Sequence, residues 1–405
     1  MKLVCRKNVF EISGINAMCK NMVEYIYCAY EIPDIVLCNF LWCVKKRRKK
    51  DMQDLWNNVL YQKELDTVFL SNTVWEKLYG KKLLITGTTG MIGSFLVDTL
   101  MKKNELLQNE QKIDLLVTTR NVEYAKERFL HHMVSDNFHL LKLDVTNIEH
   151  ELDNLDFDYI IVGAGSADPE QFAKNPVDTM ESNLYGLTNL LEIAKNRQHI
   201  RVLYISTGEI YGNAGTDVES FKEDDSFYVN STDVRACYPN SKRAAETFCA
   251  AYHTQYDVDV VIGRLCYVYG PTIKESDSRS VAQFLQKAAR GENIKLKSRG
   301  EQIRSYCYIV DAVAALLFLL VCGVSGEAYN IANADSNCSI AEFADMIART
   351  AGVKCTHAVA EEREKAGYSR VAKAVQCPDK INALGWKAEV SLKNGIESTV
   401  KVLQG

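Results

Sequence analysis

The apolar stretch Leu83-Leu84-Ile85-Thr86 runs into Gly87-Thr88-Thr89-Gly90-Met91-Ile92-Gly93 and then into a helix-like segment. A strand delivered into a glycine turn at a helix N-terminus leaves backbone N–H groups and the positive end of the helix dipole facing outward, where a pyrophosphate can sit. Gly90 leaves the space that a pyrophosphate needs. Gly93, one turn into the helix, lets it pack close to the sheet. Gly87, Gly90, Met91, Ile92 and Gly93 are therefore candidate phosphate-binding residues. A chain that opens this way is committed to alternating strands and helices.

From about Met52 the sequence keeps to that alternation. Leu83 to Thr86, Ile113 to Thr118, Leu140 to Asp144, Tyr159 to Val162, Arg201 to Ser206 and Val258 to Gly263 read as six strands. Met91 to Lys103, Asn183 to Lys195 and the stretch from Tyr238 to Tyr256 read as helices; the second carries Leu187, Leu190, Leu191 and Ala194 on one face. Helices between strands at this spacing predict right-handed crossovers, hence an α/β fold with a doubly wound, Rossmann-like parallel sheet. After Gly270-Pro271 the pattern loosens into shorter elements suited to a smaller C-terminal substrate-binding region. Four segments result: a poorly ordered extension over 1–51, a helical preface over 52–80, a dinucleotide-binding domain with the catalytic residues over 81–270, and a mainly substrate-binding region over 271–405.

With 405 residues, the chain suits one large α/β domain with appended pieces rather than one small core. Its net charge of -4 gives no electrostatic reason to expect nucleic acid. Thirteen cysteines occur singly, five before residue 50 and eight dispersed after it, with no Cys-x-x-Cys pair to hold a metal. Free thiols in a reducing, cytoplasmic compartment are expected, and no metal. The apolar run Ile35 to Val44 meets Lys45-Lys46-Arg47-Arg48-Lys49-Lys50. Ten helical residues cover about half of a ~30 Å bilayer core, so a membrane span is not expected. An interfacial anchor and a regulatory tail remain open beside the preferred reading, a dispensable extension with Met52 as the working initiator.

Tyr238-Pro239-Asn240-Ser241-Lys242 supplies the chemistry. Lys242 lies one helical turn after Tyr238 and so on the same face, where its ammonium should favour the phenolate. Joined to the glycine turn, the pair predicts a nicotinamide dinucleotide and a hydride moved with a tyrosine base. The second strand ends Val117-Thr118-Thr119-Arg120 without the acid that would hold an adenosine ribose. Arg120 either neutralises a 2′-phosphate or is solvated or stacked on adenine, so NAD is expected and NADP is not excluded. Asp144, followed by Val145, is either an adenine contact or a helix cap.

These residues resemble the extended short-chain dehydrogenase/reductase family, in its nucleotide-sugar epimerase/dehydratase branch. The resemblance runs from about Lys81 to the C-terminus and includes Arg264 to Pro271 and the tail from Pro378-Asp379 to Gly385-Trp386. Ala167-Asp168-Pro169 through Asn183, Lys242 to Glu246, and Asp277 to Val281 followed by Gly300 to Ser305 look most like UDP-glucuronate decarboxylases. The resemblance implies that Thr207 is the catalytic hydroxyl, with Tyr238 the base and Lys242 its partner on the cofactor. Dehydratases of the branch carry Asp-Glu after this threonine, whereas here the pair is Gly208-Glu209. A glycine cannot donate a proton to a leaving hydroxyl, and epimerases usually lack the glutamate. The combination fits decarboxylation through a 4-keto sugar, with Glu209 catalytic or else a surface carboxylate. Arg304 is expected to clamp a diphosphate or to form a surface salt bridge. Tyr267 replaces the asparagine usual near the diphosphate. The expected partners are a nucleotide-sugar substrate and a second copy of the chain in a homodimer. Epimerisation or 4,6-dehydration is the alternative reaction, and a non-catalytic nucleotide sensor a remote one.

Overall fold

The computed structural model describes residues 2–5, 8–11, 54–71, 74–165, 167–197, 199–215, 217–357 and 371–405, and its contacts separate residues 1–53 from 54–405. In the first unit Lys2–Cys5 (β1) and Asn8–Glu11 (β2) pair antiparallel. The apolar run, the basic cluster and the rest of the extension lie outside the described residues.

The second unit opens with the helix Val59–Ser71 (α1) and then alternates: Lys82–Ile85 (β3), Met91–Asn104 (α2), Asp114–Thr119 (β4), Val122–Arg128 (α3), Phe138–Lys142 (β5), Tyr159–Val162 (β6), Pro169–Lys174 (α4), Pro176–Asn196 (α5), Arg201–Thr207 (β7), Cys237–Tyr256 (α6) and Asp259–Leu265 (β8). There follow Tyr267–Tyr269 (β9), Ser280–Ala289 (α7), Ile294–Leu296 (β10), Ile303–Tyr308 (β11), Ile309–Cys322 (α8), Ala328–Ile331 (β12), Asn337–Ser339 (β13), Cys355–His357 (β14) and Lys373–Ala374 (β15).

Seven strands form one parallel sheet in the order β12-β8-β7-β6-β3-β4-β5. Because side chains alternate across a strand, each strand feeds two cores. Leu83, Ile85, Leu115, Val117, Ile161, Leu203 and Val261 face one; Leu84, Leu116, Ile160, Val162, Val202 and Val260 face the other. The chain order reverses between β3 and β6, and the crevice outside the carboxyl ends of these strands is where such sheets bind ligands.

Two readings need correction here. The third strand lies at Phe138–Lys142, two residues before the expected Leu140 to Asp144. Asp144 instead closes a turn on Thr146, accepting from its amide at 3.0 Å and its hydroxyl at 2.8 Å, and no helix follows for it to cap. The sheet also has a seventh strand, β12, which lies beyond Gly270-Pro271 together with α8, a helix buried on nearly every side. A second, smaller sheet is centred on β11, flanked by β13, β15 and β9. All eight cysteines from Cys237 onward are free thiols.

Candidate active site

Threonine hydroxyls fix the glycine turn. Thr86 Oγ1 accepts from the Gly163 and Ala164 amides at 3.1 and 3.2 Å, while Thr88 Oγ1 donates to the Thr118 carbonyl at 2.7 Å. Gly87 has φ +71°, and a Cβ there would fall 2.1 Å from the Gly163 oxygen. At Gly93 a Cβ would meet the Gly87 oxygen at 2.4 Å, but at Gly90 the nearest atom is 3.2 Å away. A Cβ at Gly87 or Gly93 would collide with the backbone, whereas one at Gly90 would be tight against the Gly87 oxygen without colliding. No side chain caps the N-terminus of α2. The helix dipole and first amides are left for an anion.

A cleft of ≈ 990 Å³ extends from this turn past the ends of β7 and β8. Among the sequence candidates Gly87, Gly90, Met91, Ile92, Gly93, Thr207, Glu209, Tyr238, Lys242 and Tyr267 line it. Arg120, Asp144, Val145 and Arg304 do not. Arg120 is exposed and lies near enough to Asp144 to help lower its pKa with the Thr146 hydrogen bonds, against the opposing effect of desolvation. Val145 is buried under α5, where a Cβ on Gly186 would come within 2.8 Å of it, and its carbonyl accepts from Asn189 at 2.9 Å.

Arg304 departs furthest from expectation. It is 2% exposed and donates to the Ile303 and Val371 carbonyls at 2.8 Å each. Its guanidinium lies 5.5 Å from the Tyr267 ring centre, and it is Tyr267 that meets the cleft. Neither a diphosphate clamp nor a surface salt bridge describes an arginine spent on backbone carbonyls behind a tyrosine.

Thr207 ends β7, and its hydroxyl accepts from the Glu209 amide at 3.2 Å. Tyr238 enters from the first turn of α6 and stacks on Phe172 with centroids 4.5 Å apart. Burial pushes the phenol well above its usual pKa and Glu209 adds to this; Thr207, Arg279 and Arg235 pull it back. Lys242 shares the helix face but donates to the Ile205 carbonyl at 2.8 Å and lies over the Tyr204 ring. Lys242 is not among the influences on the Tyr238 phenol, so the expected lowering of its pKa by Lys242 is not found. Burial brings Lys242 itself down to about 8, although Glu246 opposes the shift.

The sequence reading missed Arg235 and Gln376. Arg235 Nη2 holds both Glu209 oxygens, at 2.9 and 3.0 Å, so Glu209 is an ion-paired member of the cleft rather than a loose surface carboxylate. Gln376, from the loop after β15, reaches Gly208. Both contacts join residues far apart in the chain, and no local pattern announces them. By contrast, the Ala167-Asp168-Pro169 and Asp277 to Val281 motifs do meet, since Ser278 donates through its amide to Asp168 at 3.1 Å.

Residues 83–332 match the model of the NAD dependent epimerase/dehydratase family. The chain belongs to that family. UDP-glucuronic acid decarboxylase 1 of Xenopus tropicalis is 33% identical over 325 residues, which cover 79% of this chain and 71% of the relative. UDP-glucuronic acid decarboxylase 6 of Arabidopsis thaliana is 32% identical over 322 residues, covering 78% and 86%. Among solved structures, dTDP-glucose 4,6-dehydratase of Bacillus anthracis with NAD superposes with a TM-score of 0.67 at 21% identity, over 80% of this chain and 96% of the other. UDP-glucose 4-epimerase of Thermotoga maritima with UDP-glucose gives 0.67 at 22% identity, over 79% and 98%. These two likenesses establish the fold. As a member of an NAD dependent family the chain is an enzyme, and the uncapped α2 terminus beside Gly90 fits the cofactor's diphosphate. Among the described residues no helix is long and apolar enough to cross a membrane, and no cluster of His, Cys, Asp and Glu could hold a metal.

Proposed function

We propose that this chain carries out a redox-neutral modification of a nucleotide sugar through a 4-keto sugar. The observation that carries the proposal is the meeting of Thr207, Tyr238 and Lys242 in the cleft that also holds the glycine turn. Bound NAD would accept the C4 hydride and later return it. Gly87, Gly90 and the first turn of α2 would hold its diphosphate, Lys242 its nicotinamide ribose, and Arg120 and Asp144 would flank the adenosine. Tyr238 takes the C4 hydroxyl proton while Thr207 holds that hydroxyl in line. The position of Thr207, between Tyr238 and the Glu209 amide, supports this pairing.

The relatives bring UDP-glucuronate decarboxylation to this chain as the first reading. A 4-keto uronate is a β-keto acid, so carbon dioxide leaves with its electrons flowing into the ketone. Glu209 would then stand beside the carbon to be reprotonated. A second reading, 4-epimerisation of an uncharged sugar, is favoured by one observation: Gln376 presents an oxygen rather than a cation at Gly208. Incubation with UDP-, dTDP-, CDP- and GDP-sugars, with products separated by chromatography before their masses are measured, tests the proposal. Loss of carbon dioxide or an isomer of unchanged mass supports it, whereas inertness towards every nucleotide sugar would contradict it.

A further inference from the structure

Gly208 stands where a side chain would point into the cleft, and another residue already fills that space. A Cβ on Gly208 would fall 2.5 Å from Gln376 Oε1 and 2.8 Å from its Cδ. Gln376 is buried, 3% exposed, and lines the cleft.

Its neighbours fix which way the carboxamide faces. Asn330 Nδ2 donates to the carbonyls of Phe221 at 2.9 Å and Cys377 at 3.1 Å, and carbonyls only accept. Asn330 Oδ1 is therefore an acceptor, and it receives the Tyr211 hydroxyl at 2.6 Å and Gln376 Nε2 at 2.9 Å. Gln376 Nε2 also donates to the Arg264 carbonyl at 3.1 Å, which uses its second hydrogen. Flipping the amide would set its oxygen against two oxygens. Oε1 is thus held over Gly208 as an acceptor with nothing to donate.

The cations that line the cleft have partners of their own: Lys242 donates to the Ile205 carbonyl and Lys274 lies over the Tyr124 ring. Glu209, the next residue, is a second acceptor. Arg235 and Arg279, which line the same cleft, each already hold a carboxylate, Glu209 and Asp277 respectively. A carboxylate brought to Gly208 would meet oxygen lone pairs, whereas a hydroxyl would find its acceptor.

We propose that Gln376 is a specificity-determining residue: its Oε1 accepts a hydrogen bond from a hydroxyl on the sugar substituent beside the reacting carbon. The site thereby selects a nucleotide sugar with a hydroxymethyl group there over one with a carboxylate. This rests on the C4 reading of Thr207 and Tyr238, and it favours the second of the two reactions above.

The test is binding to the full-length, NAD-saturated protein by calorimetry, with the pairs UDP-glucose and UDP-glucuronate, and GDP-mannose and GDP-mannuronate. In the better-bound pair, the hydroxymethyl member should bind about tenfold or more tightly, the scale of one buried hydrogen bond. Gln376→Leu should reduce that ratio to within about threefold, and Gln376→Arg should reverse it. Because Gln376 also supports Asn330, wild-type protein is tested as well with UDP-6-deoxyglucose or GDP-6-deoxymannose, matching the better pair; loss of the hydroxyl should weaken binding about tenfold. Tighter binding of the uronate by wild type, or equal binding of the 6-deoxy sugar, overturns the proposal. Failure of the C4 reading looks different. It leaves the binding ratio intact while no sugar produces a transient reduced-nicotinamide absorbance.

Discussion

Gly90 and Gly93 lie one helical turn apart, yet a side chain would do different damage at each. At Gly93 it would collide with the Gly87 backbone at 2.4 Å, while at Gly90, which lines the cleft, its nearest neighbour is the Gly87 oxygen at 3.2 Å. Gly90→Val should therefore lower the thermal transition less than Gly93→Val does and abolish detectable NAD binding by calorimetry; unchanged affinity would exclude this turn as the phosphate site. Lys242 offers a pH test. Its folded pKa of about 8 lies below the ordinary value of about 10.4, so between those values the unfolded chain binds more protons and stability rises with pH. Below about pH 8 the burial penalty, on the order of 3 kcal/mol, is fully present. Ligand-free Lys242→Met should gain most over wild type near pH 7, and the gain should shrink as the pH rises past 8. Thermal melts across that range check it, and a gain that grows with pH would be the wrong sign. Gly208 and Glu209 make a third case. Gly208→Asp would push its Cβ into the Gln376 carboxamide and should lower turnover, whereas a larger yield of a 4-keto-6-deoxy product would mean a hidden dehydratase. Glu209→Gln weakens the hold on Arg235 and should slow product formation about 10²-fold or more, measured by mass spectrometry.

Among the elements, α1 is tied to the sheet domain by a buried charge. Asp98 on α2 takes the Tyr61 hydroxyl from α1, pairs with Arg128 of α3, and lies 2.8 Å from His132 Nε2. Burial alone would raise the pKa of its carboxyl, but Arg128 and His132 hold it below the usual range. Asp98→Asn leaves Arg128 buried without its anion and should cost about 3–5 kcal/mol in urea unfolding. A loss under about 1 kcal/mol would mean that the network relaxes freely. The elements legible in the sequence were those with a local signal: β3 and α2 from the glycine turn, and β6 and β7 from their apolar runs. The start of α5 went unread although Pro176 stands at its first turn, where proline fits a helix. β12 is only Ala328-Tyr329-Asn330-Ile331, and its Asn330 reads as a breaker until its buried bonds to Phe221, Cys377 and Gln376 are known. α8 buries nearly all its faces and so carries no amphipathic stripe. The site divides the same way. Gly87 to Gly93, Thr207, Tyr238 and Lys242 sit in contiguous motifs, while Arg235 and Gln376 are known only through partners brought in by the fold.

At the scale of the whole molecule, residues 54–405 form one compact unit that contains every residue lining the cleft. A chain beginning at Met52 should therefore fold and turn over within about twofold of the full chain; insolubility or loss of activity would assign residues 1–51 a part in folding or assembly. That unit should remove a hydride from C4 and return it to the same sugar, with Tyr238 as the base. The direct measurement uses nucleotide sugars deuterated at C4, with product mass and label position determined for wild type and Tyr238→Phe. We predict product that keeps its deuterium at C4 with no net reduction of NAD, and a Tyr238→Phe rate lower by about 10²- to 10⁴-fold with NAD still bound. Deuterium washed into solvent, or an equally fast Tyr238→Phe enzyme, would contradict hydride transfer at C4 with Tyr238 as its base.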